Sequence, residues 1–137
     1  MRVHLENLTK RFGGITAVDR LDMTVEPGEF LVLLGPSGCG KTTALRMIAG
    51  LEEVSEGRIR IGERDVTRVL PKYRDIAMVF QSYALYPHMS VAEIIGYPLK
   101  LRRVPRAERA AAVESVARQV QIAELLERYP RQLSGGQ

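Results

Sequence analysis

The stretch GPSGCGKTT, Gly35 to Thr43, gathers the residue types needed to hold a chain of phosphates. Gly35, Gly38 and Gly40 let the backbone curl so that successive N–H groups point at one anion. Lys41 supplies a point charge suited to β- and γ-phosphates, and the Thr42 hydroxyl is a ligand for Mg²⁺. Thr43 is placed to touch the α-phosphate, and Pro36, Ser37 and Cys39 occupy the variable positions of the same binding stretch. The spacing G-x-x-x-x-G-K-[ST] arises by chance roughly once in a few hundred chains of this length. Here it also has the apolar run before it and the helical run after it that the motif requires. The expected ligand is therefore a nucleotide with Mg²⁺. Cys39 reads as a small residue in a tight loop, because no neighbouring histidine is there to activate it as a nucleophile.

Such a loop works only when a strand and a helix hold it. The runs FLVLLG and DIAMVFQ are apolar without interruption, which predicts strands buried on both faces of a parallel sheet. After the loop, KTTALRMIAGL places Leu45, Ile48 and Ala49 at helical spacing and ends on Gly50, so the helix N-terminus points at the anion. Elsewhere in the first part, RVHLENL and EGRIRIG alternate as strands, and EPGEF is a turn. Beyond Gln81 the character changes. SYALYPHMS is an aromatic, proline-containing loop, and Ser90 with Glu93 forms a capping box for a helix at VAEII. PRAERAAAVESVARQVQIAELLERY predicts a second helix, with Val113, Val116, Ala117 and Val120 on one stripe and Pro130 as its stop. No internal repeat or low-complexity tract is present.

The composition sets limits on the function. The 137 residues fit one domain, with 45% hydrophobic and 26% charged residues. A formal charge of +4 reads as a mildly basic solvated face, which does not call for nucleic acid or a membrane surface. The single cysteine allows neither an internal disulfide nor a cysteine metal cluster, and a reducing cytoplasm suits it. No signal peptide is evident at the start and FLVLL is too short to span a bilayer, so a membrane role would run through a partner. His4 and His88 stand far apart in sequence and do not make a metal site.

A phosphate loop alone leaves kinases, GTPases, helicases and transport ATPases open. Three further stretches, in order, narrow the choice: KRFGGITAV with Phe12, MVFQSYALYPHMSVAE with Gln81, and LSGGQ at residues 133–137. Together with the loop they resemble the ATP-binding cassette (ABC) family of transporter ATPases. The wording of GPSGCGKTT, RMIAGLE and FQSYALYPHMSV is similar to the subunits that power bacterial sugar and glycerol-phosphate importers.

The resemblance implies an α/β fold, a P-loop NTPase of ABC type. It would have an antiparallel β subdomain, an incomplete parallel core sheet and a helical subdomain. Residues 1–81 would form the β subdomain and phosphate-loop core, and residues 82–137 the region from Gln81's loop to the signature motif. It implies that Phe12 stacks on adenine through its ring face. Gln81 would sense Mg²⁺ and the attacking water, so that Lys41 and Gln81 are the catalytic residues expected here. Ser134, Gly135 and Gly136 would contact the γ-phosphate of ATP held by a second subunit, in a head-to-tail dimer. The loop from Gln81 to Met89 would dock a membrane permease, and through it the subunit would serve a solute-binding protein. The setting implied is the inner face of the cell membrane.

The family's catalytic glutamate, Mg²⁺-organising aspartate and switch histidine follow the signature helix, so these 137 residues are expected to be the N-terminal part of the domain and inactive alone. Glu93 and Glu124 match no catalytic motif, and no general base is assigned. Two other readings compete with an importer subunit: a truncated, non-catalytic nucleotide-binding remnant or scaffold, and an ABC ATPase of repair or translation, which would not need the YALYPHMS groove.

Overall fold

The computed structural model describes residues 1–80 and 83–137 and divides into two compact units, Met1–Met78 and Val79–Gln137. In the first, β1 (Val3–Phe12) and β2 (Ile15–Val25) form an antiparallel hairpin that pairs Val3 with Val25 and Phe12 with Ile15. Gly13, at φ 55°, makes the tight turn between them. The sheet continues through β3 (Glu56–Ile61) and β4 (Arg64–Asp65) in the order β2-β1-β3-β4, antiparallel throughout.

β1 does not keep strict alternation. Leu5 and Leu8, three residues apart, are both fully buried, because a register shift lies between them and Asn7 turns to φ 47°. Asp22 accepts a hydrogen bond from the Asn7 amide at 2.7 Å and supports this bulge. β3 passes close to the same kink at Gly57 (φ 90°), where a Cβ would strike the carbonyl oxygens of Glu6 and Asn7.

The helix after the phosphate loop, α1 (Lys41–Ala49), buries Ala44 and Met47 against Leu5, Leu8, Val18, Ile59, Ile61 and Val66. The sequence spacing put Leu45 on this face. Instead Leu45 is 48% exposed and Met47 is fully buried, because the sheet meets the stripe one position round. Gly50, in the left-handed region, closes the helix.

The two apolar runs expected as buried parallel strands form no strand. Residues 30–34 and 75–80 pair with no other strand among the described residues, and Phe30, Leu34 and Val79 are exposed to 91%, 87% and 93%. A strand exists only where a neighbour completes its hydrogen-bond ladder, so an apolar run alone does not make one.

In the second unit, α2 (Val91–Leu101) begins with the expected capping box: Glu93 N donates to Ser90 Oγ at 3.3 Å, and Ser90 N donates to Glu93 Oε2 at 2.8 Å. Its first-turn amides at Val91 and Ala92 donate to the carbonyls of Arg128 and Leu126. It packs on α3 (Arg106–Gln119) at Gly96, where a Cβ would press on Val113 at 3.2 Å. α3 is shorter than the periodicity suggested. Val113 and Ala117 are buried, but Val116 and Val120 are exposed, and the chain breaks at Gln121 (φ 60°) before a 3₁₀ turn at Ala123–Leu125. The helix stripe is narrow because α2 covers only one line of it. A further 3₁₀ turn, Pro130–Gln132, leads to the SGGQ segment.

Candidate functional site

The phosphate loop is formed by a backbone that glycine alone permits. Gly38 and Gly40 take φ 81° and 92°, and a Cβ on Gly40 would overlap the Ala17 carbonyl oxygen of β2. The loop thus leans directly on the hairpin, and Gly40 becomes the N-cap of α1. No side chain caps this N-terminus and no acidic residue sits in its first turn, so the free N–H groups and the positive helix end remain for an anion.

Lys41 is folded back over the loop. Its Nζ donates to the carbonyl oxygens of Gly35 at 2.6 Å and Pro36 at 2.7 Å, and to Cys39 Sγ at 3.2 Å. The ammonium is therefore already positioned at the centre of the curl. Phosphate oxygens are stronger acceptors for it than neutral carbonyls. The same hydrogen bond from Lys41 draws the Cys39 thiol below its usual range, and Cys39 is exposed. Thr42 is exposed and Thr43 half-buried in the same first turn. Ser37 and Gly38 are exposed on the rim.

A cavity of about 320 Å³ opens beside this loop, lined by Ala17, Val18, Leu33, Cys39, Gly40 and Lys41. A larger one of about 550 Å³ lies between residues 54–58 and 65–69, away from the loop amides. Volume is a poor guide here, because a phosphate chain lies along backbone N–H groups rather than in a deep pocket.

Phe12 ends β1 beside the Gly13–Gly14 turn and is 48% exposed, so it is not a core phenylalanine. The ammonium of Lys10 lies 4.7 Å from its ring centroid. Lys10 is itself only 8% exposed, held by the Glu52 carboxylate at 2.7 Å and the Glu53 carbonyl at 2.8 Å. That hydrogen bond holds the Glu52 carboxyl below its ordinary range. The sequence pattern alone assigns Lys10 no role. Its signal was the spacing, since residues two apart on a strand share a face.

Arg74 was also missed. It is 4% exposed and donates to the carbonyls of Met47 and Ile48 at the end of α1 and to those of Thr67 and Val69. A buried guanidinium that bonds the carbonyls at a helix end leaves no mark in the periodicity of a sequence.

In the second unit, Ser134 to Gln137 form a closed turn. Gln137 N donates to the Ser134 carbonyl at 3.0 Å, and Ser134 N donates to Gln137 Oε1 at 2.9 Å. Gly135 and Gly136 are exposed, and a Cβ on Gly135 would lie 3.6 Å from the Tyr83 hydroxyl. Tyr83 and Ala84 take φ 62° and 49°, and Tyr86 packs its ring against His88 and Tyr97. An apolar cavity of about 140 Å³ lies beside this loop, lined by Leu85, Ile94, Ile95, Leu125 and Leu133. Gln81 lies outside the described residues. His4 sits in the sheet, hydrogen-bonded to Thr24 at 2.8 Å. No helix among the described residues is long and apolar enough to cross a membrane.

Known proteins share this arrangement. The chain is 58% identical to the trehalose/maltose import ATP-binding protein MalK of Thermococcus litoralis, over 98% of its own length and 38% of that protein's. It is 57% identical to the diacetylchitobiose uptake system ATP-binding protein MsiK of Streptomyces coelicolor, over 98% of this chain and 36% of that one. To the sn-glycerol-3-phosphate import ATP-binding protein UgpC of Ralstonia nicotianae it is 51% identical, over 99% and 37%. The chain thus spans little more than a third of these relatives. Among solved structures, the ATP-binding cassette MJ0796, described as a dimer in a post-hydrolysis state bound to ADP and Pi, superposes with a TM-score of 0.88. The identity is 30%, over 98% of this chain and 64% of that one. The α/β P-loop fold of ABC type follows from this likeness, despite the two apolar runs that pair with no strand. The ABC transporter family model matches residues 18–137, which carry the phosphate loop, the Tyr83–Met89 loop and the SGGQ turn, and the chain belongs to that family.

Proposed function

We propose that this chain is the ATP-binding part of an ABC importer subunit that couples ATP hydrolysis to the uptake of a carbohydrate or glycerol-phosphate. The observation that carries the reading is the phosphate loop itself, with Gly40 pressed on Ala17, α1 uncapped and Lys41 poised over the curl. The names of the relatives support the solute class.

In this reading the N–H groups of residues 35–43 and the Lys41 ammonium bind the phosphates, and Phe12 presents its ring to adenine. The Thr42 hydroxyl is exposed in the first turn of α1, and its oxygen suits a hard cation such as Mg²⁺. Gln81 would be the second ligand. When bound, Mg²⁺ neutralises the charge on the β- and γ-phosphates. Ser134, Gly135 and Gly136 act in trans on a second ATPase subunit's nucleotide, in a head-to-tail dimer. The segment from Gln81 to Met89 meets membrane permease subunits, which receive solute from a binding protein. The subunit would then sit on the cytoplasmic face of the membrane, attached through the permeases. The 137 residues alone do not turn over ATP, since none of them is assigned as general base.

Lys41→Ala in the full-length protein tests the nucleotide assignment. Losing a charge-assisted contact should weaken ATP binding about ten- to a hundredfold in an equilibrium titration. Parental affinity in that variant would remove the basis for the proposal.

A further inference from the structure

Lys10 carries a nearly buried positive charge that the nucleotide reading does not use. Its ammonium sits 4.7 Å from the centroid of the Phe12 ring and is pinned by Glu52 and the Glu53 carbonyl, in the segment that leaves α1. The same segment is stitched to the end of β1 at two more points. Ser55 N donates to the Thr9 carbonyl at 3.0 Å, and Arg11 N donates to Ser55 Oγ at 3.0 Å. Arg11 also pairs with Glu56.

We infer that Lys10 is a positioning residue for the adenine platform, resting on the assignment of Phe12 as that platform. The ring lies at the tip of a hairpin with about half its surface open, where side-chain rotation has room. A cation against one ring face sets the plane and leaves the opposite face for a base. Because Glu52 and Glu53 lie three and four residues beyond the end of α1, the brace also registers the ring with the helix whose other end holds the phosphates. A base and a triphosphate belong to one ligand, so their two receptors gain from a fixed spacing.

The test compares ATP with inorganic tripolyphosphate, which lacks the base, by equilibrium titration of the full-length protein. Lys10→Met is expected to weaken ATP about three- to thirtyfold and leave tripolyphosphate unchanged. Lys10→Arg, which keeps the cation, should stay close to parental for both ligands. The double variant Lys10→Met/Phe12→Ala should bind ATP no worse than Phe12→Ala, because the two act as one unit. If Lys10→Met does not fold, Lys10→Gln keeps a donor for Glu53 without the charge and should show the same split between ligands. Parental ATP affinity in Lys10→Met, with a loss in Phe12→Ala, would overturn the role of Lys10 and spare the platform. Parental affinity in Phe12→Ala would remove the platform, and this inference with it. Equal loss of ATP and tripolyphosphate in Lys10→Met would mean that Lys10 only supports the fold.

Discussion

The ammonium of Lys41 reaches both the Gly35 carbonyl inside the phosphate loop and the sulfur of Cys39, so one side chain sets two chemistries. A thiolate forms more readily beside a cation, and Cys39 is open to reagents. Its alkylation by iodoacetamide should therefore reach half its maximal rate at a lower pH than for a free cysteine. In Lys41→Ala the midpoint should move back up, and the rate at neutral pH should fall. An unchanged midpoint would mean that Lys41 does not govern the thiol in solution. The loop was legible in sequence because each of its positions answers to one physical need, whether backbone freedom, charge or a hydroxyl. Lys10 was legible only in its spacing from Phe12, and the partners that bury Lys10 and Arg74 lie more than 25 positions away, at Glu52 and Met47. Long side chains with polar ends read as surface until a fold buries them.

At the scale of elements, the capping box of α2 was readable because all its atoms lie within four residues. The buried faces of α1 and α3 were read less well. Leu45, Val116 and Val120 fit a helical stripe but stay exposed, because which residues on a stripe are buried depends on the width of what packs against it. The apolar runs at 30–34 and 75–80 form no strand for a related reason, since a ladder needs a partner that no local pattern supplies. α1 is held at its N-terminal end by the Gly40–Ala17 approach and at its C-terminal end by Arg74. Arg74→Met would keep much of the buried stem but take the guanidinium donor from the Ile48 carbonyl and leave the Met47 carbonyl with Gly50 N alone. This should cost about 1–3 kcal/mol in urea unfolding of the full-length protein, with an unchanged m-value. A variant as stable as the parent would show that water takes over the cap. Burial already disfavours the charge on Arg74, which lowers its pKa, so the hydrogen bonds must outweigh that cost.

For the molecule as a whole, the decisive feature is apolar surface that the two units do not bury within themselves. In the first, Phe30, Val32 and Leu34 lie 91%, 59% and 87% exposed beside the phosphate loop. In the second, Val79 is 93% and Tyr83 62% exposed. Single exposed leucines are ordinary, but a run of alternate large residues with open backbone groups is a template for association. The curated relatives extend well beyond the matched length, since the chain covers only 38% and 36% of two of them. We therefore expect the 137 residues, expressed alone, to be poorly soluble or to elute above monomer size in gel filtration. Replacing Phe30 and Val79 together by serine should lower that association, because the change removes apolar surface. ATP turnover should match a Lys41→Ala control in both versions. A monomeric parent with a single sharp thermal transition would show that these apolar runs are tolerated in water. Turnover abolished by Lys41→Ala would place a working catalytic group inside the 137 residues.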